Sequence, residues 1–297
     1  ISNIRNRAFV DAYEPGSTLK PFPVAIAIET GQINPDTILD TAPGTFRVGR
    51  STIRDVSDKG DLTVAQIIQT SSNVGTAKIA LSMPPQILWE MLNRSGFGAP
   101  TKSGFPAEAT GRLRPYSSWR PIEQATLSYG HGISVSLMQL ARAYTLFTTG
   151  GQLLPVSLEK RNLPVRGQQV ISRKTAQAVG AMLEMVTQPG GTAPLAQVNG
   201  YRVAGKTGTA HKLVDGRYAK KIYTSSFVGY APVSSPRLII AVVLDEPSAG
   251  QYFGGAVAAP VFSSVMAGAL RILNVPHDAP ANNVVLFQAE QELDGEV

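Results

Sequence analysis

Read for its apolar and polar positions, the chain divides into a helical front and a strand-rich back. The run Phe22–Ile28, closed by Gly31, predicts a buried helix entered at Ser17, with Pro21 and Pro23 near its first turn. Pro21 costs little there, because the first N–H groups of a helix are unpaired anyway; Pro23 predicts a bend or a 3₁₀ start. Residues 1–13 are polar and read as extended. Thr45–Val48 and Ser51–Arg54 flank Gly49-Arg50 as a small hairpin. Thr63 caps a helix with Val64, Ile67 and Ile68 on one face; it breaks at Thr70–Asn73 and resumes near Val74, which makes Ser71 and Asn73 a loop tip. Pro84-Pro85 starts a helix carrying Ile87, Leu88, Met91 and Leu92 and ending at Gly96. Residues 96–120 are rich in Gly, Pro and Ser and predict a long loop.

Further helices are expected over about 121–129, 136–149 and 173–187, the last two stopped by Gly150-Gly151 and Pro189-Gly190-Gly191. The pattern then switches. Tyr201–Leu213, Ile222–Ala231 and Arg237–Leu244 read as strands, with a turn signal at Asp215-Gly216. Leu238–Leu244 is continuously apolar and predicts a strand covered on both faces. Residues 255–273 return to helix, regular from about Pro260; residues 278–297 read as a polar, acidic tail in which Asn283–Gln288 could add a short strand. The plan is α+β: a helical block flanked by a mainly antiparallel sheet built late in the chain.

Composition narrows the picture without deciding it. The 297 residues are 43% hydrophobic and 16% charged, ordinary for a globular protein of one large domain or two small ones. The absence of cysteine rules out disulfides, thiolate catalysis and Cys-ligated metal sites. His131, His211 and His277 show no metal-ligand spacing, so no metal is expected. Net charge is +6, but the basic residues are scattered, the densest groups being Arg112 with Arg114, Lys160-Arg161 and Lys220-Lys221. None is a basic run interleaved with aromatics, which argues against nucleic acid; a positive field fits an anionic small substrate or envelope surface. There is no run of 18 or more apolar residues to span a membrane and no signal peptide, and the chain opens with Ile1, which reads as a piece of a longer protein.

The chemistry lies in three places. Ser17 and Lys20, at i and i+3, share one helix face, so a lysine with lowered proton affinity could take the serine's proton. Alone, such a serine is more often a helix cap. Ser71-Ser72-Asn73 alone is a helix–helix turn, and Lys206-Thr207-Gly208-Thr209 alone is a strand with a glycine bulge. All three in this order, with Arg5-Asn6-Arg7 ahead and Tyr252-Phe253-Gly254-Gly255 behind, are another matter. From about Asn3 to Pro276 the chain resembles the transpeptidase domain of class B high-molecular-weight penicillin-binding proteins, and within them the septum-specific, cell-division type.

The resemblance implies a serine β-lactamase/penicillin-binding transpeptidase-like fold with an all-helical subdomain, a domain over 1–277, and a first sheet strand lying upstream. It implies that Ser17 is acylated, that Lys20 is its general base, and that Ser71 relays a proton to the leaving amine. Asn73 would bind the substrate amide and orient Lys20, and Lys206 would favour a neutral Lys20. Thr207 and Thr209 would bind the substrate carboxylate, and the N–H groups of Ser17 and Thr209 would form an oxyanion hole. Gly208 would let the substrate backbone lie alongside its strand. Tyr223, Tyr252 and Phe253 resemble the aromatic wall of septal members, although each could be a core aromatic. His131 departs from the pattern, standing where tyrosine is common. The implied function is peptidoglycan D,D-transpeptidation, with stem peptides as substrates and β-lactams as covalent ligands of Ser17, and no cofactor. Cell-division partners and a membrane anchor at the periplasmic face of the inner membrane would lie in upstream segments. The rivals are a β-lactamase and a non-catalytic drug sensor or scaffold. A class A hydrolase needs a water-activating carboxylate, and the nearest candidate, Glu90-Met91-Leu92-Asn93, is one residue too short.

Overall fold

The structure, a computed structural model, describes residues 5–162, 165–214 and 217–284. In chain order the helices are α1 (Arg7–Val10), α2 (Pro21–Glu29), α3 (Val64–Thr70), α4 (Asn73–Leu81), α5 (Pro85–Arg94), α6 (Pro121–Ser128), α7 (Leu137–Ala143), α8 (Thr145–Thr148), α9 (Arg173–Met185), α10 (Gly254–Val257) and α11 (Ala259–Ile272). The strands are β1 (Ile38–Asp40), β2 (Thr45–Val48), β3 (Ser51–Arg54), β4 (Asp61–Thr63), β5 (Gln152–Leu153), β6 (Gln168–Gln169), β7 (Ala204–Val214), β8 (Arg217–Ala231) and β9 (Leu238–Asp245). The main sheet is antiparallel in the order β7-β8-β9, and two-stranded pairs β1-β4, β2-β3 and β5-β6 decorate the helical block. The turn at Asp215-Gly216 and most of the segment Asn283–Gln288 lie outside the described residues.

Helix α2 is the hub of the helical block. Phe22, Val24, Ala25 and Ala27 are fully buried, and the Phe22 ring meets Phe97, Tyr144 and Phe147 at centroid distances of 5.1, 5.9 and 5.4 Å. Burying a phenylalanine of this kind contributes roughly 2–3 kcal/mol. The sheet is covered on both faces. Phe227 and Tyr230 of β8, three residues apart, point to opposite sides. Phe227 packs edge-on against Phe262 of α11 at 4.7 Å, while the Tyr230 hydroxyl reaches the surface of Gly180 in α9.

Several expectations need correction. Residues 7–10 are a helical turn, not extended: Phe9 is buried, stacks on Phe105 at 4.5 Å, and Arg7 pairs with Asp11 one turn on. The helix expected over 136–149 breaks at Tyr144 into α7 and α8, where the Thr145 hydroxyl takes the Arg142 carbonyl and competes with the helical ladder. Strand β8 starts at Arg217, earlier than Ile222. Strand β9 has core packing on both faces, as expected, with α7 and α11 against it, but along Leu238–Leu244 it is half-buried and not fully buried, because among the described residues it pairs on one side alone. Gly254–Ile272 is long and apolar enough, at a mean hydropathy of 1.5, to cross a membrane by length and composition. In this fold the stretch is divided at Ala258, and Phe262, Met266 and Leu270 are buried in the core. Past α11 the chain stays on the domain: Asp278 accepts from the Arg202 and Ser234 N–H groups, and Asn283 bonds Gly200 and Tyr201.

The join at Thr63 sets the second motif's helix pair. Its hydroxyl accepts from Gln66 N at 3.1 Å while Gln66 Oε1 accepts from Thr63 N at 2.9 Å, a closed capping box. Replacing Thr63 by Ala is expected to cost about 1 kcal/mol, with Thr63→Ser near neutral. Thermal unfolding midpoints of the two variants check this, and equal midpoints would show that the hydroxyl does not hold α3.

Candidate active site

The serine lies in a 3₁₀ turn, Gly16–Leu19, that runs into α2. The turn comes earlier than Pro23 suggested. Pro21 has no N–H to close the α-helical bond onto Ser17, so the Ser17 carbonyl accepts from Lys20 N instead, at 3.3 Å. Side-chain and tertiary bonds pin the turn: Thr18 Oγ1 donates to Pro15 O at 2.8 Å, Tyr144 Oη donates to Thr18 O at 2.8 Å, and Gly16 N donates to Gly130 O at 3.3 Å. Gly130 has φ +87°, and a Cβ there would lie 2.1 Å from the Gly16 carbonyl oxygen. Ser17 itself is half-buried.

Two lysine amines converge behind it. Lys20 and Lys206 are both 0% exposed. Lys20 Nζ donates to Ser71 Oγ at 3.1 Å and makes a short bond to the Ser71 carbonyl; Lys206 Nζ donates to the same Oγ at 2.9 Å. Ser71 reaches this point by ending α3 in the left-handed region, at φ +64°. That conformation costs a serine on the order of 1 kcal/mol and turns both its carbonyl and its hydroxyl onto the amines. Burial pushes the Lys20 amine down to about 7, with the Asp55 carboxylate opposing the shift. Burial first, and the Lys20 charge second, hold Lys206 well below the usual lysine range. Two ammonium groups sharing one hydroxyl are at most about 6 Å apart, and would repel by on the order of 3 kcal/mol at an effective dielectric constant of ~20. One amine of the pair is therefore readily neutral and can take a proton.

Asp55 was not among the residues singled out from the sequence, yet it organises the second motif. Its carboxylate accepts from Ser72 Oγ at 2.6 Å, from Val74 N at 3.0 Å and from Asn73 N, holding the start of α4. An acid sixteen residues before Ser71 has no signal in local periodicity. Asn73 Nδ2 donates to Arg54 O at 2.8 Å, while the groups bonded to Lys20 Nζ are both Ser71's.

Strand β7 closes the other side. The buried Thr207 hydroxyl pairs with Thr192 Oγ1 at 2.8 Å, and Thr209 Oγ1 accepts from Gly254 N at 3.0 Å, which leaves the Thr209 proton free to donate outward. Gly208 serves the fold directly. A Cβ there would lie 2.4 Å from Ser226 Oγ, 2.8 Å from Pro15 O and 3.0 Å from Thr18, so the bare backbone lets the serine turn sit against the strand. The aromatics form a continuous ledge: Tyr223 and Tyr252 stack at 4.0 Å and 8°, and Tyr252 stacks on the part-exposed Phe253 at 4.6 Å.

A second aromatic group stands at the serine's own end. His131 packs between Tyr129 and Tyr218 at 5.4 and 5.7 Å; burial, then the His211 and Lys20 charges, push its imidazole down to about 4, so it is neutral at physiological pH. Tyr218 Oη donates to Glu14, whose Oε1 also accepts from Gly132 N at 2.8 Å, and burial raises the Glu14 carboxyl. The alternative water-activating acid, Glu90, lies instead on the exposed face of α5, bonded by Gln86 at 2.7 Å.

A serine one turn before a buried lysine, a shared hydroxyl and a hydroxyl-lined strand, set between a helical block and an antiparallel sheet, make an arrangement able to perform acyl transfer. The chain belongs to the penicillin-binding protein transpeptidase domain family, whose profile matches residues 1–267. It is 45% identical over 279 residues to the "Probable peptidoglycan D,D-transpeptidase PenA" of Neisseria flavescens, covering 94% of this chain and 69% of the relative. It is 41% identical over 292 residues to the peptidoglycan D,D-transpeptidase FtsI of Escherichia coli, covering 97% of this chain and 49% of that one, so it spans about half the length of this relative. The solved transpeptidase domain of Burkholderia pseudomallei penicillin-binding protein 3 superposes with a TM-score of 0.90 at 50% identity, over 93% of this chain and 84% of the other.

The buried lysines make stability depend on pH. With the folded pKa of Lys20 near 7 and its ordinary value at 10.5, the unfolded chain binds more protons across that window. Stability contributed by this group is therefore lowest below pH 7 and rises as pH climbs towards 10.5, by up to about 1.4 kcal/mol per pH unit. Urea unfolding at pH 7 and pH 9 is expected to show this rise, and Lys20→Met to reduce it, the remainder coming from the buried Lys206. An equal rise in the variant would place the titration elsewhere.

Proposed function

We propose that the chain is a peptidoglycan D,D-transpeptidase that cross-links stem peptides through an acyl-enzyme on Ser17 in septal wall synthesis, and that β-lactams acylate the same serine. The observation that carries this reading is the convergence of Lys20 and Lys206 on Ser71 Oγ at 3.1 and 2.9 Å, one turn after Ser17. Neutral Lys20 takes the Ser17 proton as Oγ attacks the donor amide carbon. The oxyanion is held by the Ser17 and Thr209 N–H groups. As the C–N bond breaks, the leaving amine receives its proton through the Ser71 hydroxyl. The acceptor amine then attacks the ester, returning its proton along the same path and freeing Ser17. Lys206 keeps Lys20 neutral and adds attraction for the substrate carboxylate, which Thr207 and Thr209 bind. Asn73, at the start of α4, meets the substrate amide and positions Lys20 through the adjoining Ser71 turn. Gly208 brings the strand close, and Tyr223, Tyr252 and Phe253 flank the bound ligand.

The catalytic domain is assigned to residues 1–277; just beyond it, Asp278 and Asn283 bond the segment that leads into β7. Anchoring at the periplasmic face of the inner membrane and cell-division partners extend the reading from the longer relatives, and would involve segments beyond this chain.

Ser17→Ala is expected to abolish covalent labelling by penicillin without changing the fold, and Lys20→Arg to acylate at least a thousandfold more slowly, on the order of the loss of a general base. Arginine keeps the charge but does not release its proton. Intact-protein mass after brief penicillin exposure reads both. A normal rate in Lys20→Arg would put the base elsewhere, and rapid loss of the adduct from the unsubstituted chain would mark a hydrolase.

The Thr209 hydroxyl is expected to act on the ligand carboxylate. Thr209→Val deletes one bond to a charged group, worth on the order of 1.5–3 kcal/mol, and also leaves the Gly254 N–H without its acceptor. Some loss of stability therefore accompanies a ten- to hundredfold slower acylation, roughly, whereas Thr209→Ser restores both. If a penicillin and a matched analogue lacking the carboxylate slow equally, the hydroxyl serves only strand geometry.

A further inference from the structure

Beside the cleft, the β2–β3 hairpin carries a face that the acyl-transfer chemistry leaves unused. In its register Thr45 pairs with Arg54, Phe46 with Ile53 and Arg47 with Thr52. Alternation sends Phe46, Val48 and Ile53 inward, onto Val74 and Ala77 of α4 and onto Ala125 and Tyr129. The same alternation leaves Thr45, Arg47, Thr52 and Arg54 exposed together on the outer face, with Arg50 exposed at the turn. Arg47 and Arg54 are diagonal neighbours, ~7–8 Å apart by strand geometry. Among the described residues neither guanidinium has a carboxylate partner. Arg47 Nε makes one bond, to the Gly49 carbonyl at 3.1 Å. The acids nearest in sequence are engaged elsewhere: Asp55 holds the start of α4, and Asp58 folds back onto Gly60 N at 2.9 Å. The face thus offers charged and hydroxyl donors, and like charges placed diagonally with nothing between them repel until an anion joins them.

Its place in the fold says which anion. The hairpin is joined to the cleft wall at Arg54, whose carbonyl accepts from Asn73 Nδ2 at 2.8 Å, so the donor face runs outward from the second motif. An extended peptide carries side chains of one face every second residue, ~7 Å apart, which matches the spacing of the two guanidinium-bearing positions. Arginine is suited to bidentate carboxylate contacts. We infer that the outer face of the β2–β3 hairpin, through Arg47 and Arg54 with Thr45 and Thr52, binds the free carboxylates of a peptidoglycan stem peptide and guides the strand to the cleft. This rests on the transpeptidase reading of the cleft.

The test is co-sedimentation of the purified chain with isolated, weakly cross-linked peptidoglycan at low and moderate salt. The unsubstituted chain is expected to bind, and to bind less as salt rises. The double variant Arg47→Gln/Arg54→Gln is expected to bind about three- to tenfold more weakly, as for two exposed ion pairs, and Arg47→Lys/Arg54→Lys to recover part of the loss. The pair Arg161→Gln/Arg166→Gln, with the same change of net charge at exposed positions elsewhere, is expected to bind normally. Undiminished binding by the hairpin variant overturns the inference, as does an equal loss in the control pair, which would mean net charge alone. So does a hairpin variant that loses binding to anionic phospholipid vesicles but not to peptidoglycan. Co-sedimentation needs no turnover, so failure of penicillin to label Ser17 would undo the transpeptidase reading while leaving the binding result to be read by itself.

Discussion

Two buried amines sharing one serine hydroxyl set the terms for the rest of this molecule. Placing Lys20 and Lys206 where neither is exposed is costly if both are charged. The cost falls when one releases its proton, and the shared Ser71 Oγ can accept from an ammonium or donate to a neutral amine as the proton count requires. The same burial that makes the pair unfavourable for stability lowers the proton affinity of Lys20 into the range where it can act as a base. Much of the surrounding structure acts to keep the two amines dry and aimed at this one point.

Their convergence requires three chain segments to meet at close range, and backbone chemistry permits it. The serine turn sits against β7 because Gly208 has no side chain to occupy the space taken by Pro15 and Thr18. On its other side the turn touches Gly130, again where any Cβ would collide with backbone. Ser71 is swung into place by a left-handed residue at the end of α3, and the next helix is held at its start by Asp55, bonded to Ser72, Asn73 and Val74. The loop is therefore anchored by a carboxylate from the end of β3, which also moderates how far the Lys20 proton affinity falls. Stability of the hairpin and electrostatics of the cleft are coupled through that one acid.

Local pattern was sufficient for much of the fold. The β2–β3 hairpin, the capped start of α3, the break before α4 and the Pro-led start of α5 follow from alternation, a threonine cap and helix-tolerant prolines. Elements held mainly by distant partners were not legible in this way. Helix α1 is stabilised by Phe9 against Phe105, and the break between α7 and α8 falls at Tyr144, whose hydroxyl bonds the Thr18 carbonyl. The apolar run Leu238–Leu244 does pack on both faces, but apolarity does not say how many neighbours a strand pairs with, and as an edge strand among the described residues β9 is half-buried.

What the sequence by itself determined was the inventory of the cleft: the Ser17–Lys20 spacing, the break at Ser71 between two helices, and the strand of Lys206 to Thr209, each a local pattern with its own short-range physics; the break is tighter than expected, since Asn73 already opens α4. Only the tertiary structure decided their relations. It decided that Ser71 is the meeting point of both amines, that Asp55 holds the second motif, and that Gly208 makes room for the serine turn. It also decided that the Thr209 hydroxyl is oriented by the Gly254 amide, and that the hairpin arginines share one exposed face beside the cleft. The reason is physical: proton affinity and hydrogen-bond partnership depend on burial and on groups brought together from far along the chain, and neither is a property of a residue and its neighbours in sequence.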